Sequence, residues 1–458
     1  MFSKTNVFYG KYFLLKYHLK KLFSLLLNLD EDWIHHQNVE VPGKPIQLIK
    51  ENKNGQLELV PEALSIINGL EGSVAICGIV GPYRSGKSFI GSLLLNKSNA
   101  FELGSTVDSC TRGIWMWDTP IKHRNKNDEL FNLILLDTEG LGSPKAKPER
   151  DTKIFVLSLL LSSMFVYNTT RVIDREAIQK LTIMNNLSKI IDSGIESTNT
   201  EDTNKNSILL NSPDFILVLR DTFLSLNSQS PKEYLLSSLN LETLEAQNET
   251  EIKECNFIRE TIKSSFKSLN CFCLPSPIEG GINAMSYEET LRKLDRIDRK
   301  LLKPDFIGGI EDLCKSIKTS ICTKSVFGIP LSATAYSEYI KSVFNQVNQN
   351  NKVISLTDSL TLSIKYSSEK ALNEAVENYS SKMNEFFETN EMPVTWEALE
   401  EINNKVMESS YKLLQMNLNG KNSLTKPFLE TFTNKIYQYE ETDDVKKNLL
   451  VDYSIVID

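Results

Sequence analysis

SVAICGIVGPYRSGKSFIGSLLL, residues 73–95, decides the fold. Its first eight residues are a short apolar run rich in β-branched side chains, the composition of a strand buried on both faces. GPYRSGKS then fits the pattern G-x-x-x-x-G-K-[ST], with Gly81, Gly86, Lys87 and Ser88 in the fixed positions. The apolar spacing of SFIGSLLL predicts a helix directly afterwards, so the motif stands in the strand–loop–helix setting that it requires. Glycines let backbone N–H groups turn inward around phosphate oxygens, and a lysine at position 87 reaches the outer phosphates. A hydroxyl at position 88 ligates Mg²⁺, and the helix N-terminus adds its dipole. Gly81, Tyr83, Arg84, Ser85, Gly86, Lys87, Ser88 and Phe89 are the candidate nucleotide contacts.

Outward from this stretch, SVAICGIV, FNLILLD, DFILVLR and CFCLP alternate with helical text between about residues 41 and 327. Continuous apolar strands of this kind predict an α/β domain with a mostly parallel sheet flanked by helices. IFVLSLLLSSMFVY (residues 154–167) is too short to span a bilayer and reads as a buried helix running into a strand. Polar inserts at residues 193–207 and 240–254 read as surface loops or solvated helices, and residues 346–351 as a linker after a helix. After Pro330 one period takes over. Tyr336, Tyr339, Ile340, Val343, Phe344 and Val347 share a helical face, as do Leu372, Ala375, Val376, Tyr379, Met383 and Phe386, and then Trp396, Leu399, Ile402 and Val406. The expected division is a basic, aromatic extension over residues 1–40, a large α/β domain over 41–327 and a helical domain over 328–458.

The chain has 458 residues and a formal charge of −8, which leaves no excess cation for a nucleic-acid backbone. Its seven cysteines include no C-x-x-C pair and have no histidine cluster nearby, which predicts free thiols in a cytoplasmic protein rather than disulfides or zinc. The first 29 residues hold five lysines among aromatics and leucines and no acid. They read as a helix packed on the main domain, or as an amphipathic segment on a membrane surface.

A nucleotide site needs an acid at the end of a second apolar strand. NLILLDTEG (residues 132–140) places Asp137 there, where it would hold Mg²⁺ through water while the Gly140 N–H bonds the γ-phosphate. In GSTVDSCTRGIWMW (residues 104–117), Thr111 is a candidate third metal ligand, and Trp115 and Trp117 alternate as in a half-buried strand. DFILVLRD ends in Arg220 and Asp221. A carboxylate at the second of these accepts from both guanine N1–H and the 2-amino group, donors that adenine does not offer.

Together GPYRSGKS, GSTVDSCTRGIWMW, LLDTEGLGS, LLSSMFVYN and VLRD resemble the guanylate-binding proteins, dynamin-like large GTPases related to the atlastins, and the resemblance runs from about residue 60 to about 435. It implies hydrolysis of GTP to GDP, possible continuation to GMP, Mg²⁺ as cofactor and homodimerisation through the GTPase domain. By the same resemblance Lys87 and Ser88 bind phosphate and Mg²⁺, Thr111 is a switch ligand, Ser109 positions the attacking water with help from Glu139, Arg220 and Asp221 read guanine, and Arg84 is an arginine finger supplied in cis. A guanidinium suits that task because charge spreads over the γ-phosphoryl oxygens in the transition state. The sequence departs from the family at Pro82, where leucine is usual, at Cys110, where histidine is usual, and in a shortened helical region. The alternatives are a nucleotide-gated interaction protein with slow hydrolysis and an atlastin-like membrane-remodelling GTPase.

Overall fold

A computed structural model describes residues 41–97, 100–101, 113–124, 130–143, 147–170, 172–179, 191–192, 212–222, 229–243, 249–279, 286, 289–290, 294, 297–349, 354–390, 395–418 and 422–440. The extension expected over residues 1–40, Ser109, Cys110 and Thr111 lie outside them. In chain order the elements are β1 (Pro45–Glu51), β2 (Leu57–Leu59), α1 (Pro61–Asn68), β3 (Ser73–Val80), α2 (Lys87–Leu94), β4 (Ile114–Trp117), β5 (Ile121–Arg124), β6 (Leu130–Thr138), α3 (Pro148–Leu161), β7 (Met164–Thr170), α4 (Arg175–Gln179), β8 (Ile191–Asp192) and β9 (Asp214–Arg220). There follow α5 (Pro231–Ser238), α6 (Glu249–Ser265), β10 (Leu269–Leu274), α7 (Pro304–Ser320), β11 (Ser325–Val326), β12 (Ile329–Pro330), α8 (Ala333–Asn348), β13 (Ile354–Ser355), α9 (Leu356–Thr389), α10 (Trp396–Asn417) and α11 (Asn422–Glu440).

The main sheet runs β10-β9-β7-β3-β6-β4-β1-β2, with β5 on the free part of β6. β10, β9, β7 and β3 pair in parallel. β4 is antiparallel to β1 and β6, and β5 is antiparallel to β6. The sheet is therefore mixed. On its antiparallel side a connection is too short for a crossover helix, β5 ending at Arg124 and its antiparallel neighbour β6 starting at Leu130.

Parallel register sorts the side chains between the two faces. Phe165 of β7 lies beside Phe215 of β9, and Val166 beside Ile216. Val166 and Ile216 belong to a core with Phe89, Ile90 and Leu94 of α2 and Phe306, Leu313 and Ile317 of α7. On the opposite face Phe165 meets Phe155 of α3 edge-on at 5.3 Å, and Phe266 packs on Phe215 at 4.5 Å. Helices thus cover both faces, and each fully buried aliphatic or aromatic side chain contributes roughly 1.5–3 kcal/mol. Residues 154–167 divide as the sequence predicts, into α3 and β7. Trp115 is half-buried and Trp117 buried in β4, while the insert over residues 240–254 becomes helical from Glu249.

The start of a helix is set locally. Proline occupies the first turn of α1, α3, α5 and α7, where its missing N–H costs nothing. Ser332, Ser355 and Thr395 accept hydrogen bonds from the third residues of α8, α9 and α10.

Contacts divide the chain into two compact units, one taking residues up to Glu58, Ala75–Thr182 and Pro213–Cys322, the other Leu59–Val74, Ile183–Ser212 and Thr323–Asp458. The sequence suggests one cut after residue 327; the units are discontinuous, because α1 lies between β2 and β3 in the chain yet packs on α8. In the second unit α9 packs on α8, α10 and α11, with Leu372, Ala375, Tyr379 and Met383 in one core with Leu399, Val406, Phe432 and Ile436. Among the described residues no helix is long and apolar enough to cross a membrane.

Candidate functional site

β3, β7 and β9 run in parallel, so their C-terminal ends lie at one edge of the sheet. The loop after β3, Asn168 of β7 and Arg220-Asp221 at the end of β9 meet that edge. Ligands of open α/β sheets bind at this edge.

The loop is held from three sides. Tyr83 N–H donates to the Leu141 carbonyl at 2.8 Å and Leu141 N–H to the Gly81 carbonyl at 3.1 Å, forming a parallel bridge between Pro82 and Leu141. Neither bond uses the nitrogen of residue 82, and so proline is tolerated there. Gly81 and Gly86 both have positive φ; a Cβ on Gly81 would collide with the Asn168 carbonyl, and one on Gly86 with the Arg220 guanidinium. Beneath the loop the Ser85 carbonyl accepts from Asn168 Nδ2 at 2.7 Å and Arg220 Nη1 at 3.3 Å. Arg220, expected with Asp221 to read guanine, is buried against the loop and also faces the Phe89 ring at 5.8 Å.

Arg84 is exposed and has φ 62°. Ser85 N–H donates to the Pro82 carbonyl at 3.3 Å, closing a turn whose third residue is Arg84. Such a turn prefers glycine or asparagine there. An arginine in the left-handed region costs roughly 1–2 kcal/mol, a local strain of the kind that gathers at functional sites.

At the start of α2, Lys87 Nζ donates to the Pro82 carbonyl at 3.0 Å and Ser88 Oγ donates to Asp137 Oδ2 at 2.6 Å. Burial pushes the Lys87 ammonium down to about 8, against the attraction of the Asp137 and Glu139 carboxylates. Burial likewise pushes Asp137 up to about 6, against the Ser88 hydrogen bond and the Lys87 charge. Asp137 Oδ1 is buried and has no hydrogen-bond partner among the described residues. A carboxylate oxygen with an unused lone pair beside a hydroxyl is a hard-oxygen donor set, and it fits Mg²⁺, which takes one or two protein ligands and completes its shell with phosphate and water. Phe89, a candidate nucleotide contact, turns its ring into the core against Phe306 at 6.2 Å, so only its backbone N–H in the first turn of α2 can meet a phosphate.

After β6 the chain passes Glu139 and Gly140, the latter against the Tyr83 Cα. Glu139 is buried; its Oε2 accepts the Gly113 N–H at 3.1 Å and pairs with Arg150 Nη2. Asp221 has φ 56° and lies two strands from β3, about 10 Å across the sheet. Asn168, Arg150 and Asp151, whose Oδ2 accepts the Gly142 N–H at 2.6 Å, were not singled out from sequence. The signal for Asn168 was present, since it is a polar residue at the end of an apolar strand parallel to β3. Nothing local marks Arg150.

Among known proteins, the family model described as guanylate-binding protein, N-terminal domain, matches residues 54–326. Guanylate-binding protein 3 of Homo sapiens is 32% identical over 345 residues, which cover 74% of this chain and 55% of that protein. Guanylate-binding protein 1 of Homo sapiens is 32% identical over 351 residues, 74% of this chain and 56% of the relative. Guanylate-binding protein 6 of Mus musculus is 32% identical over 349 residues, 74% and 54%. The chain spans about half the length of the curated relatives it matches.

Proposed function

The chain belongs to the guanylate-binding protein family, and from that premise we propose that it is a GTPase that cleaves GTP to GDP and phosphate and pairs with a second copy through the nucleotide-binding face. The observation that carries this reading is the buried Lys87, Ser88 and Asp137 group at the start of α2, in which Asp137 keeps an oxygen without a partner. In this reading residues 41–327 act as the GTPase domain and residues 328–458 as a helical domain. Free thiols at Cys77, Cys255, Cys271, Cys273, Cys314 and Cys322 suit a cytoplasmic protein.

Backbone N–H groups from residue 86 into the first turn of α2 cradle the phosphates, and Lys87 moves its ammonium from the Pro82 carbonyl to the outer phosphates. Ser88 and Asp137 hold Mg²⁺, with Thr111 as the switch ligand. When bound, the ion neutralises charge developing on the phosphates. Asp221 accepts from the guanine N1–H and 2-amino group, while Arg220 supports the loop from below. Ser109 and Glu139 position the attacking water. Arg84 swings in over the γ-phosphoryl group when two copies pair, leaving the Tyr83 ring, whose centre is 5.3 Å from its guanidinium.

Phosphate release measured with GTP and with ATP at several protein concentrations tests the reading. GTP should be strongly preferred, with specific activity rising with concentration; equal use of ATP would remove the role given to Asp221. Arg84→Gly suits the turn's positive φ while deleting the guanidinium. It should lower kcat roughly a hundredfold or more and change affinity for a non-hydrolysable GTP analogue by less than about threefold. Equal loss of both would contradict the finger.

A further inference from the structure

The first turn of α3 grips the loop that follows β6. Asp151 Oδ2 accepts the Gly142 N–H at 2.6 Å, and one residue earlier the Arg150 guanidinium lies between two carboxylates, with Nη2 paired to Glu139 and 3.1 Å from Glu51 Oε2 at the end of β1. The Arg150 and Glu139 side chains are 10% and 6% exposed, while that of Glu51 is 24% exposed, so the Glu139 pair is the more desolvated. A carboxylate so deeply buried requires a charged partner, and removing that partner frees it to rotate toward water.

Glu139 in turn holds the start of β4. Its N–H donates to the Gly113 carbonyl at 2.9 Å, and its Oε2 accepts the Gly113 N–H at 3.1 Å, a reciprocal pair. Gly113 lies two residues after Thr111. Both the Gly113 and the Arg150 bonds fall on Oε2, so Oε1 stays outside the pairing.

We infer that Arg150 is a positioning residue for hydrolysis: it fixes the Glu139 carboxylate by one oxygen, leaving the other to act on the attacking water, and through Glu139 it pins the end of the segment that carries Ser109 and Thr111. The inference rests on the role proposed for Glu139. A single nitrogen makes both ion pairs, and Arg150 Nε, buried, bonds nothing among the described residues. An ammonium at this position, one bond shorter in reach, keeps the bridging charge between the two carboxylates.

A double-mutant cycle on the full chain tests it, using Arg150→Ala, Glu139→Ala and both together. The readouts are GTP turnover, affinity for a non-hydrolysable GTP analogue, and amide hydrogen exchange at Gly113. Arg150→Ala should lower kcat about tenfold or more and leave analogue affinity within about threefold; in the Glu139→Ala background it should change kcat by less than about threefold. Exchange at Gly113 should quicken about tenfold in Arg150→Ala, and Arg150→Lys should keep both kcat and exchange within about threefold of the parent. Wild-type turnover in Arg150→Ala, an equal loss with and without Glu139, or unchanged Gly113 exchange overturns the inference. If Glu139→Ala alone keeps wild-type kcat, the role given to Glu139 fails and the catalytic half of the inference falls with it, while Gly113 exchange still decides whether Arg150 pins the loop. Should Arg150→Ala not fold, Arg150→Gln takes its place under the same expectations; if neither folds, the ion is structural and the inference falls.

Discussion

Lys324 shows how far a single side chain can depart from what its surroundings in sequence suggest. It is 2% exposed and lies 5.7 Å from the centre of the Tyr339 ring, and burial pushes its ammonium down to about 7 from an ordinary 10.5. An unfolded lysine keeps its proton to about pH 10.5, whereas the folded one releases it near 7, so between those values the unfolded chain binds more protons and stability rises with pH. The penalty is greatest below about pH 7 and is relieved toward 10.5. Lys324→Met should remove this dependence, flattening stability by about 1.4 kcal/mol per pH unit between roughly pH 7.5 and 9.5 relative to the parent. Denaturant midpoints at several pH values measure it, and parallel curves for the two proteins would contradict it. The loop after β3 was legible because its glycines, Lys87 and Ser88 fall within eight positions. Lys324, Arg150 and Asn168 were not, since their partners are distant in sequence; Asn168 and Ser85 are 83 residues apart.

Strands and helices were legible wherever burial is uniform or periodic. β3, β6, β9 and β10 were readable as apolar runs, and the helices after Pro330 by their 3.6-residue spacing. Harder to read was how an element serves a neighbour. β7 is an apolar strand whose last buried residue, Asn168, carries the loop after β3 through the Ser85 carbonyl and hydroxyl, at 2.7 and 3.3 Å. Asn168→Ala should loosen that loop without touching nucleotide, weakening binding of a GTP analogue about tenfold through loss of preorganisation. Titration calorimetry at fixed Mg²⁺ gives the value, and an unchanged Kd would show that Arg220 alone suffices to hold the loop. On the antiparallel side of the sheet β4 was legible from the alternation of Trp115 and Trp117, whereas β5, only four residues long, was not.

For the whole molecule, the consequential fact is that the compact units are discontinuous. α1 buries Ala63, Leu64 and Ile67, and the Ser337 hydroxyl of α8 reaches the Leu64 carbonyl at 3.5 Å. A chain ended after Cys322 keeps α1 and loses α8. Those three side chains would then face water, at roughly 1.5–3 kcal/mol for each of Leu64 and Ile67. Residues 41–322 should therefore show a lower thermal midpoint than residues 41–440 and a stronger tendency to aggregate, and equal midpoints would mean that α1 finds other cover.

The sequence alone determined the glycine-rich loop after β3, the acid at the end of β6, the order of the strands along the chain and the helical character of its last quarter. Each is written in contiguous residues, where backbone geometry and side-chain period act over a few positions. Only the tertiary structure decided that Arg220 supports the loop from below, that Phe89 faces the core, that Glu139 is shared between Arg150 and Gly113, and that α1 belongs with the helices after Pro330. Those outcomes depend on which buried charge finds which partner and which apolar face finds cover, a competition among groups from 11 to more than 135 residues apart that no local pattern encodes.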